Sequence, residues 1–269
     1  MRRVRPAATV MLLRDAPQGI ELFMLRRSAR SAFVPDAYVF PGGALDARDS
    51  EPATLGRMVG LDAARIRAEF RAEVPAALPT DVPAPGEDQA AGLYVAALRE
   101  LFEEAGVLLA CDAGGSGLRV TTSPQRIGEL REGLHADALT FKQVLAAFDA
   151  YGDARALTLF SHWITPPNEA RRFDTWFFLA AAPSAQNALA DAGETHDGLW
   201  IAPAQALARH AQGQFHLVYP TVKHLERLTG FADTASLIAY AAGKPIVTIA
   251  PDTSPDVGFV LPVELEGRW

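Results

Sequence analysis

The residues of this sequence whose types and spacing could do chemistry lie between Leu98 and Gly106. On a helix, which turns about 100° per residue, the charged residues share one face: Arg99, Glu100, Glu103 and Glu104. Glu100 and Glu104 are like charges one turn apart, and they repel unless a cation lies between them. Apolar residues take the other face, so the pattern predicts an amphipathic helix that presents three carboxylates. The alternative is a solvated helix face with an Arg99–Glu103 pair.

These oxygen ligands indicate a hard divalent cation, Mg²⁺ or Mn²⁺, rather than zinc, because no cluster of cysteine or histidine accompanies them. Mg²⁺ bound by carboxylates keeps positions open for water and phosphate oxygens, so hydrolysis of a phosphate anhydride is the natural reaction. One glutamate could accept the proton of the attacking water. The segment 38–43 predicts a strand that ends in a Pro-Gly-Gly turn, whose carbonyls could add ligands.

Composition limits the partners and the compartment. The 269 residues carry a formal net charge of −7, which argues against broad electrostatic binding to nucleic acid or to an anionic membrane. The single cysteine, Cys111, excludes an intramolecular disulfide and indicates a reducing compartment. No apolar run approaches the roughly 18 residues that span a bilayer. We therefore expect a cytoplasmic protein that binds neither nucleic acid nor membrane.

The elements that must position the glutamates alternate between strands and helices. The prolines of 74–86 resist regular structure and mark a long excursion before the charged helix, which we place at 87–105. Strands are predicted at 7–13 and 20–25, joined as a hairpin by a longer loop, and then at 107–110, 157–164, 174–181, 198–201 and 246–249. Other helices are predicted within 53–72 and at 124–134, 140–151, 203–212, 219–230 and 234–241.

Residues 99–107, Arg-Glu-Leu-Phe-Glu-Glu-Ala-Gly-Val, resemble the second half of the Nudix box. The first half of that box is a glycine followed six positions later by a glutamate, and it is similar to Gly43 and Asp49, with Asp in place of Glu. Residues 50–98 then stand where the box has seven residues. A split box of this kind resembles the branch that includes the peroxisomal coenzyme A diphosphatases of the nucleoside diphosphate-linked moiety X type 19 group. Segments 31–47, 163–166 and 171–178 resemble the same branch.

The resemblance implies a role for each matching residue. Glu100 and Glu104 would be the main metal ligands, Glu103 a further ligand or the base, and Arg99 the residue that orients them. The carbonyl of Gly42 or Gly43 would supply a backbone ligand, and Asp49 would replace a supporting glutamate. The two halves of the box must then lie together, with Gly42 and Gly43 next to Glu100 and Glu104.

Three more residues are candidates for substrate binding: Arg27, Arg172 and Glu194. Each has a plainer interpretation. Arg27 could lie in a solvated loop, and Arg172 could form a structural ion pair at the start of a strand that begins near Asp174. Glu194 is a candidate because members of the superfamily often add an acidic residue from a distal loop, but it could be an ordinary loop carboxylate.

The resemblance implies a Nudix α/β/α sandwich around a central mixed sheet. Residues 1–269 would form one domain, with an insertion at about 50–86 inside the box and helical additions at about 203–243. The implied activity is Mg²⁺-dependent hydrolysis of the diphosphate in a nucleoside diphosphate linked to another group, with CoA or acyl-CoA as the first substrate. The alternatives are a pyrophosphatase for ADP-ribose, NADH or another nucleotide, and a catalytically silent nucleotide sensor. Ala32 and Asp36 replace the Arg and Gly of a signature found in some CoA-cleaving members. A homodimer is compatible with the sequence.

Overall fold

The protein is built from thirteen strands and eight α-helices in the described part of the chain. The computed structural model describes residues 4–29, 34–75, 82–118, 123–190, 195–254 and 258–269. The strands are β1 Val4–Ala16, β2 Gly19–Arg27, β3 Tyr38–Val39, β4 Gly42–Ala44, β5 Met58–Val59, β6 Ala110–Cys111, β7 Tyr151–Asp153, β8 Thr158–Ile164, β9 Arg172–Ala181, β10 Thr195–Ile201, β11 Thr248–Ile249, β12 Asp252–Ser254 and β13 Gly258–Val260. The helices are α1 Pro52–Leu55, α2 Ala63–Glu69, α3 Glu87–Ala105, α4 Pro124–His135, α5 Phe141–Ala147, α6 Pro203–Ala211, α7 Tyr219–Leu228 and α8 Thr234–Gly243.

The central sheet is mixed and runs in the order β10-β2-β1-β9-β8-β11. β1 pairs in parallel with β9 along its length and antiparallel with β2, while β3 adds to β2 and β4 adds to β1. A separate sheet runs in the order β5-β7-β6, so the inserted strand β5 pairs with β7, a strand that follows the charged helix. β12 and β13 form a hairpin.

Both faces of the central sheet are buried, which makes the architecture the predicted α/β/α sandwich. Along β1, Val10 and Leu12 pack into the core under α3, whereas Met11 and Leu13 pack into the core under α6, α7 and α8. This alternation follows from the two-residue period of a strand. None of the helices in the described segments has both the length and the apolar character that a membrane crossing requires.

The charged helix α3 has the bounds that the sequence predicts, 87–105. Two acidic residues occupy its first turn, where the helix dipole favours them. Gly106 ends the helix in the left-handed conformation with φ 68°, and its N–H donates to Phe102 O. Leu98, Leu101 and Phe102 are buried as the periodicity predicts. The opposite face is therefore free to build a site.

Several element predictions are corrected by the structure. The β1–β2 connection is a two-residue turn, because Ala16 already pairs with Gly19. The predicted strand at 107–110 is displaced to β6, and Leu108 lies in irregular backbone. The Gln186 side-chain amide donates to Leu108 O and accepts from Leu108 N, which satisfies the groups that a neighbouring strand would bond. The helix predicted to reach 151 ends at Ala147, whereas the helices predicted within 53–72 are present as two short helices separated by β5.

Candidate active site

The two halves of the box lie against each other in space, although the sequence between them is 42 residues longer than in a contiguous box. Strand β4 pairs with β1, with Gly43 opposite Ala8, and α3 packs on the same strand. The Gly42 N–H donates to Glu104 Oε2 at 2.8 Å. A Cβ atom on Gly43 would lie 2.3 Å from Glu100 Oε1. The predicted proximity of Gly42 and Gly43 to Glu100 and Glu104 is confirmed.

Gly42 and Gly43 allow the backbone of β4 to lie close to neighbouring atoms; they do not form a turn. The prediction of a Pro-Gly-Gly turn is wrong, since both glycines belong to β4, and neither is among the glycines with positive φ. A side chain at Gly42 would meet the backbone of Ala8 and Thr9, and one at Gly43 would meet the Glu100 carboxylate. The absence of a side chain is what lets the strand backbone approach the helix carboxylates.

Arg99 joins the two halves through its guanidinium group. Its Nε and Nη2 donate to the two carboxylate oxygens of Asp49, each at 2.9 Å, and Nη2 also donates to Ala44 O at 3.1 Å. Its Nη1 donates to Glu100 Oε1 at 2.7 Å and to Glu103 Oε2 at 3.1 Å. Fork-shaped bonding of this kind fixes carboxylates in orientation as well as in position. Asp49 thus occupies the supporting position that the resemblance implies.

A short 3₁₀ turn over 47–50 brings Asp49 to Arg99. Asp46 begins the turn and its side chain accepts from Arg48 N, while Asp49 Oδ2 accepts from Asp46 N at 2.9 Å. This reciprocal cap fixes the turn locally. Asp49 is 2% exposed, so its carboxylate depends on these partners for stabilisation.

The environment shifts the pKa values of two neighbouring glutamates in opposite directions. Burial and, to a smaller extent, the negative charge of Glu103 together raise the pKa of Glu100 to about 7, against the opposing positive charge of Arg99. Burial also acts to raise the pKa of Glu103, but the hydrogen bond from His135 and the positive charge of Arg99 outweigh it and lower that pKa. Such a divergence is common where two carboxylates divide acid and base work.

The site opens into a cavity of about 460 Å³. Glu100, Glu103 and the box residues line one side, and residues 134–141 of α4, α5 and their connection line the other. The lining carboxylates outnumber the guanidinium groups: Asp46, Asp49, Glu100, Glu103 and Asp137 against Arg5, Arg48 and Arg99. An anionic substrate would therefore need a bound cation to enter.

The comparisons with known proteins agree with this geometry. The family model described as the NUDT19 Nudix domain matches residues 4–228. The chain belongs to the Nudix hydrolases. The acyl-coenzyme A diphosphatase NUDT19 of Gallus gallus is 30% identical over 280 residues, which cover 91% of this chain and 73% of the relative. The protein of the same name from Homo sapiens is 30% identical over 270 residues, which cover 90% of this chain and 69% of that relative. The crystal structure of a Nudix hydrolase from Alicyclobacillus acidocaldarius matches with a TM-score of 0.68 and 28% identity, over 89% of this chain and 97% of that chain.

The divalent cation that Nudix hydrolases generally use fits the donor set of this chain. Glu100 and Glu104 bring carboxylate oxygens to the backbone of Gly42 and Gly43, so all the donors are the oxygens that hard cations prefer. The raised pKa of Glu100 reflects a buried carboxylate whose negative charge a nearby cation would compensate. Within the described segments, no three His, Cys, Asp or Glu side chains form a ready metal cluster. Mg²⁺ sites commonly use one or two carboxylates with waters and substrate phosphates, so this arrangement suffices.

Sequence reasoning missed the wall of the Nudix site that α4 supplies. His135 Nδ1 lies 3.1 Å from Glu103 Oε1. Arg131 donates to the carbonyls of Glu103 and Glu104, each at 2.8 Å. Arg131 and His135 are four residues apart and so share one face of the helix. This spacing was the available signal, but which element that face meets is a matter of tertiary packing.

Two of the three candidate substrate residues, Arg27 and Arg172, lie outside the cavity lining. Arg27 ends β2, and its N–H donates to Ala37 O. Arg172 is buried and its Nε donates to Thr165 O at 3.1 Å. Neither residue is among those that line the cavity, so their contact with substrate stays a prediction. Glu194 lies outside the described residues. Asp174 is buried and pairs with His162.

Proposed function

We propose that this Nudix hydrolase cleaves the diphosphate of CoA or acyl-CoA, releasing 3′-phosphoadenosine 5′-phosphate and a 4′-phosphopantetheine moiety. The approach of Gly43 to Glu100 carries the proposal, because it assembles a complete box from its two halves. The choice of substrate is supported by the names of the relatives from Gallus gallus and Homo sapiens, each 30% identical. A cytoplasmic location, a single domain over residues 1–269 and a homodimer are parts of the same proposal.

In the proposed mechanism, Glu100, Glu104 and the carbonyl of Gly42 or Gly43 would hold Mg²⁺ or Mn²⁺, which would supply positive charge for the diphosphate and a lower pKa for a water molecule at the site. Glu103 stays ionised at neutral pH, since its pKa is lowered, and it can accept a proton from the attacking water. Arg99 holds the carboxylates of Glu100 and Glu103 in fixed relative positions, because its Nη1 donates a hydrogen bond to each of them.

A substrate panel tests the proposal. CoA, several acyl-CoAs, ADP-ribose, NADH and nucleoside triphosphates would be assayed with Mg²⁺ and with Mn²⁺, beside Glu100→Gln and Glu104→Gln. We expect the highest kcat/KM with CoA or an acyl-CoA, and a large loss in both variants. A preference for ADP-ribose or NADH would overturn the substrate assignment. Tight binding of one nucleotide without turnover would replace the enzyme by a sensor, and wild-type rates in both variants at saturating Mg²⁺ would refute the catalytic assignment.

A further inference from the structure

His135 is a cavity residue outside the Nudix box that contacts a box carboxylate directly. Its Nδ1 lies 3.1 Å from Glu103 Oε1, while Arg99 Nη1 donates to Oε2 of the same carboxylate, also at 3.1 Å. Each oxygen of Glu103 therefore has its own donor. The His135 and Glu103 side chains are 23% and 14% exposed, so the bond between them is partly shielded from water. Shielding makes such a bond stronger than it would be on the surface.

The position of His135 is fixed from both sides by other contacts of α4. One turn earlier, Arg131 is 7% exposed and donates to the carbonyls of Glu103 and Glu104, which lie in the last turn of α3. Just after α4, Asp137 forms an ion pair with Arg48 at 2.7 Å. The end of α4 is thus bound to the end of α3 on one side and to the turn that carries Asp49 on the other. The imidazole is held against Glu103 by more than its own hydrogen bond.

We infer that His135 is a positioning residue for the reaction: by donating its Nδ1–H to Glu103 it holds that carboxylate in the orientation from which it accepts a proton. The inference rests on the proposed function, since it assigns His135 to the glutamate that acts there as base. Arg99 alone cannot supply this constraint, because its Nη1 is shared between Glu103 and Glu100. Partners of this kind that hold a reacting group from behind typically contribute about 10- to 100-fold to activity.

The kinetic test compares His135→Ala, His135→Asn, Glu103→Gln and the His135→Ala/Glu103→Gln double variant. We expect His135→Ala to lower kcat about 10- to 100-fold with little change in KM. The asparagine amide can donate from nearly the position of Nδ1, so His135→Asn should recover most of that loss. The double variant should be no slower than Glu103→Gln alone, because both changes remove the same function. As a matched control, His210→Ala loses a histidine whose Nδ1 bonds the Phe215 carbonyl away from the cavity, and it should keep the wild-type kcat.

A second measurement needs no turnover. Imidazole ¹⁵N spectra of the neutral ring, recorded at alkaline pH, should show the His135 proton on Nδ1 in the wild type. In Glu103→Ala the acceptor is gone, and the proton should move to Nε2. If His135→Ala fails to fold, this readout still tests the donation from Nδ1, and the kcat of His135→Asn tests its effect on the reaction.

The outcomes separate the two claims. If Glu103→Gln hydrolyses substrate at the wild-type rate, the assignment of Glu103 in the proposed function fails. If Glu103→Gln is slow but His135→Ala keeps the wild-type kcat, only the inference about His135 is overturned. Additive losses in the double variant, or an Nε2–H tautomer in the wild type, would overturn it as well.

Discussion

We expect the Gly43→Ala substitution to remove most of the activity while leaving the fold intact. The new Cβ would lie 2.3 Å from Glu100 Oε1, whereas ordinary contact begins at 3.4 Å, so the carboxylate must retreat by about 1 Å. A displacement of about 1 Å in an active site can cost about 100-fold in rate. The group that must move is the far end of a side chain rather than backbone, but it also accepts the bond from Arg99 Nη1, so the free energy of unfolding should fall by about 1 kcal/mol or less.

For the neighbouring Gly42, the same kind of close contact predicts a loss of stability, because the atoms in the way belong to the backbone. A Cβ on Gly42 would lie 2.6 Å from the carbonyl oxygen of Ala8 and 2.7 Å from Thr9 Cα. These backbone atoms are held in the central sheet and cannot move aside. Gly42→Ala should therefore lower the free energy of unfolding by about 1–3 kcal/mol, the usual cost of overpacking.

The assay measures kcat for hydrolysis of the best substrate and, on the same samples, the free energy of unfolding in urea. Gly230→Ala is the control, because a Cβ at that position meets no atom within 4 Å. It should match the wild type in both measurements. Wild-type kcat in Gly43→Ala, or an equal loss of stability in Gly43→Ala and Gly42→Ala, would refute the close approach of β4 to Glu100.

Three further outcomes are expected. Asp49→Asn should lower the free energy of unfolding by about 3 kcal/mol in urea titrations, since it leaves the buried guanidinium of Arg99 without its fork-shaped carboxylate partner; unchanged stability would contradict this. Arg5, an exposed guanidinium that lines the cavity, should contact substrate phosphate, so Arg5→Ala should raise KM about threefold to fivefold. That effect should shrink when KM is measured in high salt. Burial lowers the pKa of His224 to about 3, so the unfolded chain binds a proton at higher pH than the folded one. Stability should fall as pH drops below about 6.5, by about 2 kcal/mol between pH 8 and pH 5 in urea unfolding. His224→Asn should lose this part of the pH dependence.

The parts of the fold that could be predicted from the sequence are those set by local patterns. The bounds of α3 follow from the apolar period and from Gly106, whose left-handed conformation few other residues adopt. The parts that could not be predicted depend on contacts between distant segments. Leu108 looks like a strand residue, yet the Gln186 side chain satisfies its backbone from 78 positions away. No local pattern reports such a partner.

The same division holds within the site. The glutamates and Arg99 could be predicted from the sequence, because the box spacing on one helix already places them on one face. His135 could not be predicted, because its importance comes only from the packing of α4 against the end of α3. Arg27 and Arg172 carry the charge that a phosphate would attract, but charge alone does not reveal which face of the sheet a strand residue occupies or which partners it finds.

Tertiary contacts explain why a box split by an insertion can still form a site. In a contiguous box the short loop keeps the halves together, whereas here residues 50–98 separate them. Closing the longer loop costs at most about 1.7 kcal/mol more, because loop entropy grows only with the logarithm of length. The bonds of Arg99 to Asp49 and the pairing of β4 with β1 are of the right size to offset this cost. In the described part of the insertion, Phe70 packs against Tyr94 and Trp176 in the core under α3. The halves are therefore joined by tertiary contacts rather than by a short connection along the chain.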